Sequence, residues 1–372
     1  MDVLGTVAAF LAVLVVLVLV HEVGHFVAAK LAGITVQEFG IGFPPRISSV
    51  VWRGTRYSLN WIPLGGFVKM LGEDGEGEAN KLRERGLSEA AVERAMEGAF
   101  NRKPIPVRIA VLVAGVLMNF VLAGVLFAVA ISMPLPEARG PLTITEIQPG
   151  SPAAQELRVG DVILAADGRT FAVSSDLTAY VRSRAGHDVR LRIERDGDVM
   201  TRVVTPRTED QLDPGEGPVG FSYEPASYVE VPAEVSNPIE AVASGFAEAA
   251  NLAVQIPGGL ADAVGGLLGL NPNAGSAVGP IGIAEETGRM LEAPLVSQLV
   301  FVGLLSVNLA VLNVLPFPPL DGGRIAVVLI EALRRRRLPA EREALIYLTG
   351  FMVLIALVIL ISIQDVQRLI EG

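Results

Sequence analysis

"VLVLVHEVGHFVAAKLAG", residues 16–33, is the stretch that decides how the rest of this sequence is interpreted. It continues an uncharged apolar run that begins at Val3, and it places His21, Glu22 and His25 in an unbroken helical pattern. Ionisable side chains are costly at membrane depth and are functional there by default. The stretch therefore predicts a long apolar helix that carries a polar functional site.

The two histidines have the spacing of a metal site. Because they are four residues apart, they share one helix face, and both imidazoles can bind a single metal ion. Glu22 is placed beside them as a general base for the attacking water. A zinc site needs a third protein ligand and an open position. The chain has no cysteine, and its other histidine, His187, is predicted to lie on the opposite side of the membrane, so the third ligand is predicted to be a carboxylate.

The candidate carboxylate is Asp321, in "NVLPFPPLDGGRI" (313–325), at the end of another uncharged run. The prolines before it cannot continue a regular helix, and irregular backbone at membrane depth occurs where it is buried or lines a cavity. His21 lies roughly 13 Å from Lys30, and Asp321 at most about 20 Å from Arg334, at 1.5 Å per helical residue. Similar depths favour one zinc site. A purely structural helix cap is the alternative role for the aspartate.

Composition also indicates a membrane protein. Only 19% of the 372 residues are charged and 51% are hydrophobic, whereas roughly 25% charged is usual for soluble domains. The net charge of −10 argues against a nucleic-acid partner. Each of four uncharged segments has about the 20 residues that span a bilayer as a helix. They are 3–20, 109–133, 295–320 and 344–363. We expect the first to be a span rather than a cleaved signal peptide, because no basic region precedes it.

Basic residues near the span ends predict the orientation. They cluster on one side: Lys30, Arg102, Lys103, Arg108 and the run 334–337. The positive-inside rule places these flanks in the cytoplasm, so the two termini and residues 134–293 are predicted to lie outside.

The chain divides into eight predicted parts. "LTITEI" and "DVRLRIERDG" alternate like strands, and "GDVILAADGRTF" is typical of a strand, a turn and a strand. The sequence 237–270 is amphipathic and predicts a helix that lies on the outer interface or packs against the domain. The parts are a first span with the HExxH motif (1–33), a cytoplasmic-side β-hairpin with a charged loop (34–103), a second span (104–134), a β-rich domain (138–207), a linker with the amphipathic helix (208–293), a third span with the LDG motif (294–333), a basic loop (334–343), and a fourth span with the tail (344–372).

The two metal motifs, HEVGH and NVLPFPPLDGG, resemble those of the site-2 protease family of intramembrane zinc metalloproteases. The insert between spans two and three resembles that of the bacterial regulator-of-sigma-E protease branch, with one PDZ domain carried by "GSPAAQELRVGDVILAADGRTF" (150–171). The stretches 62–74, 101–123 and 278–283 are also similar to this branch. The implied fold is a polytopic α-helical membrane protein with four transmembrane helices, a membrane-associated β-hairpin and an inserted extracytoplasmic PDZ domain.

The resemblance implies roles for individual residues. His21, His25 and Asp321 would bind Zn²⁺, and Glu22 would be the catalytic base. The residues implied to hold the substrate are Asn313, Pro316, Pro318, Gly65 and Gly66. The hairpin at 36–71 would re-enter the membrane and pair with an extended substrate by strand addition. The peptide-carboxylate loop of the PDZ domain would lie near 139–142, and this domain would bind peptide or act as a steric gate.

The implied function is hydrolysis of peptide bonds in the transmembrane segments of single-pass proteins, such as anti-sigma factors or signal-peptide remnants, in a bacterial inner membrane. The expected partners are these substrates and the lipid bilayer. A catalytically inactive scaffold that presents a PDZ domain is the main alternative, although it would not need Glu22. A membrane-tethered protease of the soluble zinc type would need a third ligand in an aqueous domain, and a metal transporter would need further polar groups along a path.

Overall fold

The structure of the protein is a computed structural model that describes residues 3–73, 77–208, 211–212, 217–231, 233, 235, 237–267, 278–336 and 338–371. The chain divides into two compact units. One comprises Met1–Ser132 together with Val235–Gly372, and the other comprises Met133–Glu234.

The helices and strands of the described residues are these, in chain order. The first part of the larger unit forms α1 (Val3–Leu31), β1 (Val36–Trp52), β2 (Thr55–Met70), α2 (Gly77–Glu84), α3 (Glu89–Ala95), a 3-10 turn (Phe100–Arg102) and α4 (Ile105–Ile131). The smaller unit forms β3 (Leu135–Ile147), α5 (Pro152–Glu156), β4 (Val162–Ala166), α6 (Ser174–Ser183), β5 (Val189–Arg195), β6 (Asp198–Val204) and β7 (Phe221–Val231). The larger unit ends with α7 (Pro238–Leu267), α8 (Pro280–Met290), α9 (Leu295–Val314), α10 (Asp321–Arg334) and α11 (Ala340–Glu371).

Four helices in the described ranges are long and apolar enough to cross a membrane: α1, α4, α9 and the segment Glu341–Gln367 of α11. They coincide with the four predicted spans. The third predicted span, 295–320, is shorter as a helix, because α9 ends at Val314 and the proline-rich link that follows cannot continue it. The chain then turns into the separate helix α10.

Small residues let the long helices approach each other closely, as is common in membrane bundles. A Cβ on Gly24 of α1 would lie 2.8 Å from the carbonyl carbon of Ala114 in α4. The hydroxyl of Ser306 in α9 donates a hydrogen bond to the backbone oxygen of Asn119 in α4 at 2.8 Å. Helix α7 also packs on α4, where a Cβ on Gly245 would lie 2.5 Å from the backbone of α4. This contact supports the packing alternative for the amphipathic helix.

The predicted hairpin is a folded sheet rather than two straight strands. On one side, residues 36–41 of β1 pair with residues 66–70 of β2, from Val36↔Met70 to Ile41↔Gly66. On the other side, residues 38–41 pair with residues 56–59, from Glu38↔Arg56 to Ile41↔Leu59. Residues 48–52 then pair with 55–59 around the tight turn at 53–54. The order of segments is therefore 66–70, 36–41, 56–59 and 48–52. The segment 66–70 lies at one edge of this sheet within the described residues.

The smaller unit is built on a five-stranded antiparallel sheet of order β6-β5-β4-β3-β7, as far as the described residues show. Its core contains the fully buried Ile144, Leu191 and Ile193. The sequence predicted a linker from residue 208 onward, and this part of the prediction was wrong. Strand β7 lies there and pairs with β3 from Phe221↔Ile147 to Leu135↔Val231, so it belongs to the sheet. Its polar, proline-containing sequence suits an edge strand, and the same composition is typical of a linker.

Candidate metal centre

Helix α1 brings His21 and His25 onto one buried face, where each is only 6% exposed. The Nδ1 of His25 lies 2.8 Å from the backbone oxygen of Val111 in α4. Because a carbonyl oxygen can only accept, this contact requires a proton on Nδ1 and leaves the Nε2 lone pair of a neutral imidazole free. Metal-binding histidines typically donate their second ring nitrogen in this way. The local structure therefore presents a ligand atom to the interior.

Asp321 meets both imidazoles although it lies 300 residues from His21 in the chain. Its Oδ2 is 2.8 Å from the Nε2 of His21 and 3.1 Å from the Nε2 of His25, and the two Nε2 atoms are 3.1 Å apart. Ligand atoms about 2.1 Å from a tetrahedral zinc ion are separated by about 3.4 Å. Among the described residues, these three side chains form the one cluster able to hold a metal ion. Both the donor set and the spacing fit zinc.

Two glycines position Asp321 at the start of α10. A Cβ on Gly322 would overlap the backbone oxygens of Val314 and Leu315, and a Cβ on Gly323 would lie 2.7 Å from the Phe317 carbonyl. The helix can therefore fold back against the end of α9 only because both residues lack a side chain. This close packing of α10 against the end of α9 places the carboxylate of Asp321 beside His21 and His25.

Helix α4 contributes two residues to the centre that the sequence reasoning did not identify. A Cβ on Gly115 would overlap the Nε2 of His25 and would lie 2.9 Å from the Cε1 of His21. The side-chain amide of Asn119 is 3.4 Å from the Nδ1 of His21. Since a flip exchanges the amide nitrogen and oxygen, the Oδ1 of Asn119 can accept a hydrogen bond from a protonated Nδ1 of His21. An asparagine in the middle of an apolar run was the available signal for this helix.

A cavity of about 640 Å³ opens onto the centre. Its wall includes Glu22, which stands beside the two histidines on α1, and Asn313 near the end of α9. Glu73, in the loop after β2, and Arg324 of α10 also line the cavity and form an ion pair. The cavity thus contains one glutamate, Glu22, that forms no ion pair with a lysine or arginine in the described structure and lies next to the metal-binding side chains.

The remaining candidate substrate residues fall into two groups. Gly65 and Gly66 of β2 lie against α1, where a Cβ on Gly66 would be 2.9 Å from the Gly40 oxygen and 3.6 Å from the Cγ of Glu22. Pro316 and Pro318 belong to the link before α10, but they are not part of the cavity wall, to which the neighbouring Pro319 contributes. The structure therefore places Gly66 next to Glu22, whereas Pro316 and Pro318 form part of the link that leads to Asp321.

The smaller unit has a groove of its own, with a volume of about 140 Å³. It lies between α6, through Leu177 and Val181, and "GPVGF" (217–221) at the start of β7. The sequence placed the peptide-carboxylate loop near 139–142, and Leu142 of this stretch also lines the groove. Strand β3 is paired on both sides, by β4 and β7, whereas β7 lies at an edge of the sheet, so the open side of the groove is at the loop before β7. The position of the carboxylate loop stays a prediction.

The long apolar helices and a centre of two histidines and one carboxylate define the class of protein. This class is a membrane-type metalloprotease. The sequence profile of Peptidase family M50 matches residues 9–357. The chain belongs to this family, which confirms the resemblance to site-2 proteases and makes the protein a zinc metalloprotease.

Individual relatives agree over nearly the whole chain. A protein of Clostridium perfringens is 36% identical over 353 residues, which cover 94% of this chain and 95% of that protein. The metalloprotease MmpA of Caulobacter vibrioides is 30% identical, covering 97% of this chain and 95% of its own. The zinc metalloprotease RasP of Geobacillus kaustophilus is 27% identical, covering 99% of each chain.

Two solved structures are each similar to about a fifth of the chain. The solution structure of GtR34C from Geobacillus thermodenitrificans is 28% identical, with a TM-score of 0.19, and covers 22% of this chain and 90% of its own. The PDZ domain of the SdrC-like protein Lmo2051 from Listeria monocytogenes is 21% identical, with a TM-score of 0.20, over 22% of this chain and 85% of its own.

Proposed function

We propose that this protein is an intramembrane protease that cleaves single-pass membrane proteins within or beside their transmembrane segments. The observation that carries the proposal is the position of the centre. His21, His25, Asp321 and Glu22 line a cavity formed by helices that are apolar and long enough to cross a bilayer. A peptide bond that reaches this cavity from a transmembrane segment would meet the hydrolytic groups without leaving the membrane.

The chain supplies the ligands and the base. His21, His25 and Asp321 would hold a zinc ion, and this ion would supply a Lewis acid for the scissile carbonyl and the attacking water. Glu22 accepts the proton of the attacking water and passes it to the leaving amine. Gly115 gives the imidazoles their space, and Asn119 and the Val111 carbonyl fix their orientation.

The substrate has to be extended before it can be cut, because the peptide bonds of a helix are shielded by its own hydrogen bonds. The edge segment 66–70 of β2 can extend it by strand addition. Phe67, Val68 and Met70 of this segment line the cavity, so a strand paired there would run past Glu22. Asn313 faces the same space. Pro316 and Pro318 keep the link between α9 and α10 out of a regular helix.

The basic flanks support a cytoplasmic position for the hairpin and for the end of α10, with both termini and the PDZ domain outside the cell membrane. The relatives are bacterial, and the location proposed for this protein is a bacterial inner membrane. In this orientation a cut near the cytoplasmic side releases the cytosolic part of a substrate, as signalling through an anti-sigma factor requires. Removal of signal-peptide remnants needs the same chemistry. A scaffold without activity would have no use for Glu22 on the cavity wall.

The function is tested with purified full-length protein in detergent and a fluorescent single-span substrate. Wild type is expected to bind about one zinc ion per chain and to cut within the apolar segment. Asp321→Asn is expected to lose at least about nine-tenths of the bound zinc and of the cleavage activity, since a neutral amide is a much weaker ligand than a carboxylate. Zinc is measured by elemental mass spectrometry and the cut by peptide mass mapping.

Asp198→Asn, on the exposed strand β6 of the smaller unit, is the matched control and should behave as wild type. Zinc retained at full occupancy in Asp321→Asn would contradict the ligand assignment. A zinc-loaded wild type that cuts only soluble loops of the substrate would contradict the intramembrane site.

The PDZ groove predicts peptide binding at the edge of β7. An extended peptide with an apolar C-terminal residue and a free carboxylate is expected to bind the full-length protein, because Leu177 and Val181 face an apolar groove beside an edge strand. Leu177→Arg, which fills the groove, is expected to weaken binding at least about tenfold, measured by fluorescence anisotropy. Thr178→Ser is the conservative control on the same helix. Equal affinity in all three proteins would leave the PDZ domain with a steric role.

A further inference from the structure

Two groups of basic residues that lie far apart in the chain meet around one cavity in the larger unit. The cavity has a volume of about 410 Å³ and lies between the start of α4 and the end of α10. Its basic lining residues are Arg102, Lys103, Arg108, Arg335 and Arg336. The sequence places both groups on the same side of the membrane, but only the fold makes them neighbours.

The one acidic residue on the wall, Glu331, is already neutralised. Its Oε2 is 3.0 Å from the Nη1 of Arg108, and its Oε1 accepts a hydrogen bond from the backbone N–H of Leu338 at 3.1 Å. The Nε of Arg108 is buried and has no hydrogen-bond partner in the described structure. This arginine therefore keeps a donor for a further acceptor after satisfying the glutamate.

The other basic residues leave a surplus of positive charge. Arg102 forms an ion pair with Glu93 at 2.5 Å. The side chains of Lys103, Arg335 and Arg336 have no hydrogen bond or ion pair to any part of the chain that the structure describes. Three cations around one cavity without a counter-charge repel one another at short range, and an anion between them relieves this repulsion.

Exposed apolar side chains of α4 and α10 accompany the basic residues of this cavity. Ile105, on the cavity wall, is 37% exposed, and Leu329 and Leu333 of α10 are 46% and 84% exposed. The leucines are four residues apart and share one face of α10. An acyl chain can lie along these side chains while its headgroup occupies the basic cavity. A soluble anion would gain nothing from this apolar face.

We propose that the cavity binds the phosphate of an anionic phospholipid headgroup. Basic pockets between membrane helices on the cytoplasmic side are the kind of site that anionic lipid headgroups occupy. The inference rests on the membrane orientation within the proposed function, but it does not depend on proteolysis. A lipid there joins the start of α4, which carries Gly115, to the end of α10, which begins at Asp321, and so ties together two helices of the metal centre.

Native mass spectrometry of the full-length, zinc-loaded protein in mixed micelles tests the proposal. Phosphatidylglycerol is compared with phosphatidylcholine of the same acyl chains, whose choline cancels the phosphate charge. Wild type is expected to bind one phosphatidylglycerol at least tenfold more tightly. The variant Lys103→Ala/Arg335→Ala/Arg336→Ala is expected to lose this preference, since each basic residue near a membrane surface contributes about fivefold. Arg108 is left intact because its ion pair supports the fold.

The matched control is Lys81→Ala/Arg85→Ala/Arg94→Ala, which removes the same charge from exposed positions of α2, α3 and the turn after α2, and it should keep the preference. Equal loss in the control, or an unchanged preference in the cavity variant, would overturn the proposal. Binding of inorganic phosphate at about 10 mM with displacement of the lipid would assign the cavity to a soluble anion instead.

Cleavage and zinc content are measured on the same preparations. Failure to cut with the lipid preference intact would count against the proposed function alone. Normal cleavage without any lipid preference would overturn the lipid site alone.

Discussion

Glu22→Gln is expected to lower the rate of cleavage at least about 10³-fold while zinc content stays at the wild-type level. Glutamine keeps the size and the hydrogen-bonding reach of the side chain, but it cannot accept the proton of the attacking water. Glu22 is not one of the three side chains whose ligand atoms cluster, so the metal centre should form without its charge. The measurement pairs single-turnover cleavage of the fluorescent substrate with zinc analysis.

Glu73→Gln is the matched control, because Glu73 is a second glutamate on the same cavity wall. Its carboxylate is held by Arg324 and also accepts the backbone N–H of Met70 at 3.0 Å. It is therefore not placed to take a proton, and its loss is expected to cost less than about tenfold. If Glu73→Gln were the inactive protein and Glu22→Gln the active one, the base would have been assigned to the wrong glutamate.

Gly115→Ala is expected to abolish zinc binding at micromolar zinc and, with it, cleavage. The added methyl group would overlap the Nε2 of His25 and crowd the Cε1 of His21. Helix α4 is also held by α9 through the Ser306 hydrogen bond and by α7 through the close contact at Gly245, which opposes its movement away from α1. Moving an imidazole breaks its hydrogen bond to the Val111 carbonyl as well. Changes to the groups that orient metal ligands typically cost 10–100-fold in affinity, and here both histidines are displaced together.

Gly259→Ala is the control for this change, because a Cβ at this position of α7 meets nothing within 4 Å. Both substitutions replace a helical glycine by alanine, which alone favours the helix by about 1 kcal/mol. Zinc titration by calorimetry distinguishes the two variants, because Gly259→Ala should bind zinc with the wild-type affinity. Wild-type affinity in Gly115→Ala would mean that the imidazoles do not occupy the space beside α4.

The sequence alone was sufficient to predict those parts of the protein whose structure depends on residues close together in the chain. HEVGH lies within one helix, so its geometry follows from the helical repeat, and the depth argument correctly paired it with Asp321. The space at Gly115 could not be predicted, because it depends on how closely α1 and α4 approach. Strand β7 was missed because its short polar sequence pairs with a strand about 80 residues earlier, and pairing over such a distance leaves no periodic signal of its own.

The separation of 300 residues between His21 and Asp321 has a consequence for biosynthesis. The two histidines leave the ribosome first, and at 5–20 residues per second the aspartate follows roughly 15–60 s later. During this interval the nascent chain has an incomplete ligand set. A chain that stops early, at any point before α10, carries the histidine motif but not the full centre. The order of the ligands along the chain thus delays activity until synthesis is nearly finished.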